Sequence, residues 1–487
     1  PVVSHGYGTA LPDPVRRLRE YRAGGGRVWV LDPRRSETAA LADTHLATRP
    51  GSDVAVLAAL ANALLRDGAD ESELRNHCDA DEVAALRGVL EPFTIERAAR
   101  AADVEAPELE RLVTEVRGAP GRVAMQCGTG VTMARDGVVA EWLRWVVLIA
   151  SGSLDRPGGM PFHRGVIRPF RARSTNRAPL PGPASRAELP RVAGQIPAVA
   201  LADEIESGNI RALFVTGGNP LTAFPQPDRL RAALARLDIL AVVDVAENEC
   251  TGLATHVLPA AGQLERADLT LAEPTALRAG LQATGAVVAA GADRRPVWWM
   301  FAKLDEAMGR PAPALGLSDE QYLRGLLRHA RLEADAVFAA GPRGIDAGTE
   351  YGWVRDTFLR DGTWNIAPEP MLARLSAWTD PDPRETVLAP RREMARSNSI
   401  AYGIGDPGPV VRMHPATAPA APAVTLTTAN GTIDAAFAVD ANVRPDVVSI
   451  THGYPRENPG DLTSTDTDVD PLTAMPRVAG LPVRVEN

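Results

Sequence analysis

Cysteine is scarce in this 487-residue chain. Its three copies, Cys78, Cys127 and Cys250, lie far apart and form no C-x-x-C pair. A disulfide framework, a structural zinc site and a self-contained iron–sulfur cluster are therefore not expected from these residues. Long apolar runs are missing too. The strongest, "WLRWVVLIASG" (142–152), is interrupted by Arg144 and falls short of the roughly 20 residues of a spanning helix, so it reads as a buried helix. Direct membrane insertion is not expected. No block of one charge sign stands out; the net charge of −9 comes from interspersed residues, which argues against a nucleic-acid surface. Lysine is the rarer cation, and the more abundant arginine suits two-pronged contacts to phosphate. No Walker loop, H-E-x-x-H or Ser-His-Asp signature occurs, and no G-x-G-x-x-G follows a strand, which removes the ordinary nicotinamide dehydrogenase. The chain opens at Pro1 with no methionine, so the absence of a signal-like segment decides little; a cytoplasmic location is expected, with periplasmic export left open.

What is present is size and repetition. A chain of this length, 45% apolar, exceeds one hydrophobic core. Residues 30–46 read "VLDPRRSETAALADTHL" and residues 242–258 read "VVDVAENECTGLATHVL". With Asp32 over Asp244, Leu41 falls on Leu253, Ala42 on Ala254 and Leu46 on Leu258. Each copy has an apolar run, an Asp where it stops, a polar stretch and a second apolar run.

The surroundings share that grammar. "GGRVWVLDP" (25–33) and "GRVAMQCGTGVT" (121–132) read as strands entering turns, and "SDVAVLAALANALLRDG" (52–68) as a strongly amphipathic helix capped by Ser52 or Asp53. "NIRALFVTGGNP" (209–220) and "DILAVVDV" (238–245) are strands flanking the helix "PDRLRAALARL". Strands alternating with helices imply parallel sheets with crossover helices. The expected class is α/β: two Rossmann-like lobes (1–158 and 159–300), a helical connection (301–384) and a C-terminal β-barrel (385–487). The barrel is expected to be antiparallel, from the alternation and Asn-Gly turn of "VTLTTANGTIDAAFAVD".

Ligands of parallel α/β lobes sit beyond the carboxyl ends of the strands. The candidates are the turns "DPRRS" (32–36), "RPGSD" (49–53), "CGTG" (127–130), "GGNP" (217–220), "VDV" (243–245) and "LER" (264–266). Glycine allows backbone to approach a phosphate, aspartate accepts from ribose or a guanine edge, and arginine offers a fork to pyrophosphate. A strand-end aspartate is nevertheless more often a helix cap than a ribose ligand. His45 and His256 fall near matching points of the copies and read as structural, while His163 and His414 have no metal-ligand spacing.

These segments together resemble the molybdopterin oxidoreductases of the dimethyl sulfoxide reductase family. "VWVLDPRRSETAALADTHLATRPGSD" is similar to that family's "DPR…A-D…PG-T/S-D" stretch and "GSLDRPGGM" to its "GN…PGG". "TGGNP" and "VVDVAENECTGLATHVLPAAGQLER" resemble its later motifs, and "RREMARSNS", "VVSITHGY" and "LTSTDTDVDPLTAMPRVAGLPVRVE" its C-terminal capping domain. The resemblance implies Mo or W held by two pyranopterin guanine dinucleotides, one per lobe about a pseudo-twofold axis. It implies Asp32, Arg34, Ser36, Gly51, Ser52 and Asp53 on one arm, and Gly218, Asn219, Val243, Asp244 and Arg266 on the other. Gly130 would approach a pterin or phosphate, with Arg391, Asn398 and Ser399 reaching in from the β domain.

Departures from the family pattern accompany the matches. Met133 stands where many members have Gln and Gly460 where many have Asn, and "HPATAPAAPAV" (414–424) is shorter than usual. The family's 4Fe-4S domain and metal-binding residue are expected upstream of Pro1, so no metal ligand is assigned here and this stretch alone should be inactive. The implied partners are a small substrate, such as formate, nitrate or an N- or S-oxide, and an electron-transfer subunit. The alternative is a non-catalytic scaffold resembling the large peripheral subunit of respiratory complex I.

Overall fold

The computed structural model describes residues 13–167, 169, 180–192, 194–270, 279–330, 332–341, 344–359, 362–393 and 409–486. Asn398 and Ser399 lie outside the described residues. The fold is mixed α/β. Its first unit runs through α1 (Pro14–Ala23), β1 (Trp29–Leu31), a 3-10 turn (Ala39–Leu41) and β2 (Thr44–Leu46). It continues with α2 (Asp53–Arg66), α3 (Glu71–His77), α4 (Ala80–Leu90), α5 (Ile95–Ala102), α6 (Ala106–Arg117), one-turn α7 (Thr129–Thr132) and α8 (Gly137–Ala150).

Side-chain caps set several of these helix starts. Asp70 accepts from the Ser72 and Glu73 N–H groups, Asp79 from those of Asp81 and Glu82, and Thr94 from that of Arg97. The apolar run that is too short for a membrane is α8, buried against α2. α2 is buried along nearly its whole length. Leu64, Leu143 and Leu148 are fully enclosed there, each contributing roughly 1.5–3 kcal/mol by burial. Ile366 and Leu375 join the same core from the connection, the latter on α16 (Glu369–Ser376).

The strand expected within 121–132 does not form. Side chains take the places a neighbouring strand would fill: the Val123 N–H donates to Ser153 Oγ (3.1 Å), and Met125 O accepts from Arg144 (3.1 Å).

The second unit contains α9 (Leu201–Glu206), β3 (Ala212–Thr216), α10 (Pro220–Ala223), α11 (Pro227–Leu234), β4 (Ile239–Asp244) and β5 (His256–Pro259). Its three strands are parallel in the order β3-β4-β5. One face packs Leu240 and Val242 on α9 and α11. Across the other, Val243 meets Met300 of α12 (Val297–Ala307).

A small satellite core follows, around β6 (Asp268–Leu269), β7 (Ala279–Leu281), β8 (Ala283–Thr284), α13 (Asp319–His329), α14 (Ala334–Ala339) and β9 (Ile345–Gly348). α15 (Trp353–Phe358) precedes α16. Among the described residues no helix is long and apolar enough to cross a membrane.

The last part is a seven-stranded sheet of β10 (Val387–Arg391), β11 (Val410–Met413), β12 (Ala423–Thr427), β13 (Thr432–Val439), β14 (Val447–Thr451), β15 (Leu481–Pro482) and β16 (Arg484–Glu486). Its order is β15-β10-β14-β11-β13-β12-β16. The two edge strands are consecutive pieces of chain separated by Val483 alone, so the sheet curls until its edges meet there. The Asn430-Gly431 turn closes the β12–β13 hairpin as expected. The sheet is not wholly antiparallel, because β10–β14 and β11–β13 run parallel. Those partners are joined by long connections rather than tight turns, which local alternation does not reveal.

Candidate functional site

The two echoing stretches have the same backbone. In the first, β1 pairs with β2 in parallel and Leu31 faces Leu46; in the second, β4 pairs with β5 in parallel and Val243 faces Leu258. The 3-10 turns Ala39–Leu41 and Thr251–Leu253 occupy the same place in each copy. Asp32 and Asp244 stand at corresponding strand ends.

Their surroundings differ. Asp32 Oδ1 accepts the Arg34 N–H (2.8 Å), and its carbonyl meets His45 Nε2 (2.8 Å), which gives that histidine a structural partner. Burial raises the Asp32 carboxyl above its ordinary range. Asp53, opening α2, is pushed up to about 6 by burial, with the Asp32 charge adding to the shift. Cys127, in the "CGTG" turn, is pushed up to about 12 by burial and then by Glu141, with a smaller push from Asp53. The turns 32–36, 49–53 and 127–130 thus gather at one end of the first unit.

Within that group the residues divide the work. Gly51 has φ +89° and open space where a side chain would project, and the space beside Gly130 is open too. Ser52 is fully buried, and both its N–H (3.1 Å) and its hydroxyl (2.7 Å) donate to Arg49 O, so it braces the turn. Ser36 Oγ accepts the Ala39 N–H (3.3 Å). The Met133 carbonyl accepts the N–H groups of Val478 and Ala479, and Gly480 packs on Pro50, so chain from the C-terminal sheet lies across these turns.

In the second unit Gly217 (φ +62°) and Gly218 (φ +142°) leave open space at the end of β3, and the Gly217 N–H donates to Val243 O (2.9 Å). Asn219 is buried. Its Oδ1 accepts the Leu221 N–H (3.2 Å), and its Nδ2 donates to Glu249 (2.5 Å). Asp244 accepts from the Val245 N–H (2.6 Å) and Asn248 Nδ2 (2.9 Å). Just beyond β5, Arg266 donates to Ala261 O (2.9 Å) and Asp268 (3.0 Å). The strand-end candidates Gly218, Asn219, Val243 and Asp244 are therefore neighbours, with Arg266 at their margin.

Both units dock on the curled sheet. The Arg35 N–H donates to Asn442 O (2.8 Å), and the Arg444 N–H to Pro33 O (3.1 Å). Arg49 is 2% exposed, paired with Asp446 and donating to Asp382 O (2.6 Å) and Glu385 O (2.5 Å). On the other side the Gln226 N–H donates to Gly460 O (2.9 Å). Buried Asn458 donates to Thr222 O (2.5 Å) and Tyr454 O (2.9 Å). A Cβ on Gly460 would lie 2.6 Å from Phe224 O, so glycine suits that position and Asn458 makes the polar contact nearby.

This docking pairs Arg34 with Val443, in the connection between β13 and β14, within electrostatic reach of Arg391, which is buried on β10 and donates to Ser449 O (2.7 Å), Val410 O (2.6 Å) and Glu393 (2.8 Å). Arg412 of β11 joins them. Sequence reading missed it, because an arginine in an alternating strand carries no local mark. Glu249 and Asn458 were missed likewise, although the Asn-Pro-Gly turn at 458–460 was visible.

Open glycine turns and converging guanidiniums fit the two ends of a nucleotide-bearing cofactor. Among the described residues no group of three or more His, Cys, Asp or Glu side chains is placed to hold a metal ion.

Residues 8–307 match the family model described as molybdopterin oxidoreductase, and residues 392–482 that of the molydopterin dinucleotide binding domain. The F420-dependent formate dehydrogenase 2 subunit alpha of Methanococcus maripaludis is 28% identical over 318 residues, covering 62% of this chain and 46% of that protein. Formate dehydrogenase H of Escherichia coli is 25% identical over 355 residues, 66% of this chain and 47% of its own. The nitrate reductase of Klebsiella oxytoca is 25% identical over 304 residues, 58% and 33% respectively. The chain spans less than half the length of these curated relatives. Acetylene hydratase from Pelobacter acetylenicus shares the fold with a TM-score of 0.78 at 17% identity, over 97% of this chain and 75% of that one.

Proposed function

We propose, from the premise that this chain belongs to the molybdopterin oxidoreductase family, that it binds a bis-pyranopterin guanine dinucleotide cofactor of Mo or W. In this reading 1–158 and 159–300 are pseudo-twofold-related Rossmann-like lobes, each taking one dinucleotide arm. Residues 301–384 connect them to the cap, 385–487. The observation that carries the proposal is the shared backbone of the two stretches, with Leu31 opposite Leu46 and Val243 opposite Leu258 and an aspartate at each strand end.

Asp32 and Asp53 would accept from one guanosine while Arg34, Ser36 and Gly51 shape its diphosphate path and Ser52 holds the turn. Gly218, Val243, Asp244 and Arg266 would serve the other arm, braced by Asn219. Gly130 offers open backbone to a pterin or phosphate, and Arg391 a cation, with Asn398 and Ser399 assigned to the same cap. When bound, the metal would supply two-electron oxidation or reduction, or oxygen-atom transfer, on a small substrate of the formate, nitrate or N/S-oxide kind. The residues here bind and orient; bond breaking belongs to groups outside this set. An iron–sulfur relay and an electron-transfer subunit belong to the same proposal.

The test is ligand linkage. GDP, standing for the nucleotide end of the cofactor, should raise the melting temperature of the full chain in a concentration-dependent way. Calorimetry should give two sites per chain. A flat melting temperature up to millimolar GDP, with no guanine released from protein made in cofactor-producing cells, would overturn the reading.

A further inference from the structure

Residues 468–477 form a loop that is closed on itself. The Arg477 N–H donates to Asp468 O (2.8 Å), the Asp470 N–H to Met475 O (2.9 Å) and the Ala474 N–H to Asp470 O (2.7 Å), while Val469 bridges Pro476. Inside the loop Asp470 Oδ1 accepts the N–H groups of Leu472 (2.9 Å) and Thr473 (3.0 Å). Asp468 and Ala474, neither of them glycine, stand in the left-handed region at φ +55°. A loop whose ends meet and whose hydrogen bonds stay inside it is an Ω-loop, able to move as one piece.

The chain on either side is fixed. Thr463, Ser464 and Thr465 are buried before the loop. After it the Gly480 N–H donates to Leu388 O (2.8 Å), and Leu481 pairs with Leu388 on β10. Between the loop and that anchor run Val478 and Ala479, whose N–H groups reach Met133 O (2.9 and 3.2 Å) and so cross the first cleft.

The loop itself is lightly attached. Of its ten residues only Ala474 is buried, against Leu189, Val199 and Ala200. Its firm outward contact is polar: Asp470 Oδ2 accepts from Arg374 Nη1 (2.6 Å). The same guanidinium donates through Nη2 (2.6 Å) and Nε (3.0 Å) to Asp136 at the start of α8. All three side chains are largely shielded from solvent. One arginine of α16 thus ties a loop of the C-terminal region to the first unit. A segment with one buried apolar side chain and two strained residues belongs to the part of a fold that opens locally.

We propose that residues 468–479 are a clasp that opens as one piece when Arg374 releases Asp470, and that a nucleotide enters and leaves the first cleft through the open form. The movement stands on the contacts above, whereas the entry route rests on the dinucleotide reading. The clasp closes behind a ligand as it closes over an empty cleft. Loosening it should therefore speed both binding and release and leave affinity nearly unchanged. A side chain that touched the nucleotide would instead change affinity, chiefly through release.

The experiment uses the full chain, read by hydrogen exchange and by stopped-flow kinetics with GDP. Asp470→Asn keeps the oxygen that organises the loop and weakens the contact to Arg374. Arg374→Gln removes the donor, while Asp136 keeps Arg135 (3.5 Å). In both variants the Val478 and Ala479 amides should exchange about tenfold faster, and those of Asp470, Ala474 and Arg477, bonded within the loop, should not change. GDP should associate and dissociate faster by about the same factor, with its affinity within about twofold. Unchanged exchange at 478–479 in both variants would overturn the clasp, as would equal acceleration inside the loop, which marks melting. Faster exchange with unaltered GDP rates would overturn the entry route. A wild-type chain that binds no GDP would bring down the dinucleotide reading and the entry route with it, and exchange at 478–479 would still decide the movement.

Discussion

Asp32 and Asp244 end equivalent strands in equivalent backbones, yet the two carboxylates meet different surroundings. In the second unit Asp244 is occupied by Val245 and Asn248, and Asn219 by Leu221 and Glu249. In the first, Asp32 accepts the Arg34 N–H, and burial raises both Asp32 and Asp53, with the Asp32 charge adding to the rise at Asp53. A repeated chain path therefore fixes where an aspartate stands without fixing its charge environment. The docking differs in the same sense. The first unit is held to the sheet by the almost fully enclosed Arg49 and Arg444. The second is held by half-buried Arg229, which pairs with Asp203, Glu206 and Asp466, together with Asn458.

The largest break in this comparison should come from the docking arginines. Arg49→Ala leaves two carbonyls without their buried donor and Asp446 with Arg444 alone, and should cost about 3 kcal/mol in urea unfolding. Arg229→Ala, at a wetter contact, should cost about 1 kcal/mol or less.

Next come the two acids. Asp53 rises from 3.8 to about 6 on folding, so the native state holds its proton more tightly than the unfolded chain. Its contribution is complete below about pH 4 and is lost as pH climbs through 6, a decline on the order of 2–3 kcal/mol. Asp53→Asn should remove that slope and raise stability at pH 7, seen by denaturation across pH 4–7. Asp244→Asn should instead lower stability by about 1 kcal/mol by disturbing its hydrogen bonds.

Smallest is the backbone test. Gly51→Ala and Gly218→Ala, each in the left-handed region with open space around it, should each cost about 1 kcal/mol, read as melting temperature. Unequal costs would show that one turn is more strained than the other.

Much of the skeleton could be read from residue order. "ILAVVD" declares a buried strand and "TANGTID" a hairpin, while "AVLAALANALL", which reads as an amphipathic helix, is buried on nearly every side. The strand-end turns were legible because glycine, asparagine and aspartate have few other reasons to cluster there. What could not be read depends on contacts between distant segments. "GRVAMQC" has a strand's composition, but Ser153 and Arg144 take its hydrogen bonds. Ser52 looks like a helix cap, yet its hydroxyl turns back to Arg49 O. Arg412 becomes meaningful only once β11 lies beside β14 and the loop at 440–443 meets the first unit.

The meeting of both sheet edges at Val483 sets an order of events during synthesis. The helices around α2 can pack as soon as they emerge, since most of their partners lie within the first 150 residues. The curled sheet cannot join its edges, nor can Gly480 reach Pro50, until residues 478–486 have left the ribosome. Until then the first cleft stands uncovered, and residues 478–486 act as a latch drawn across it.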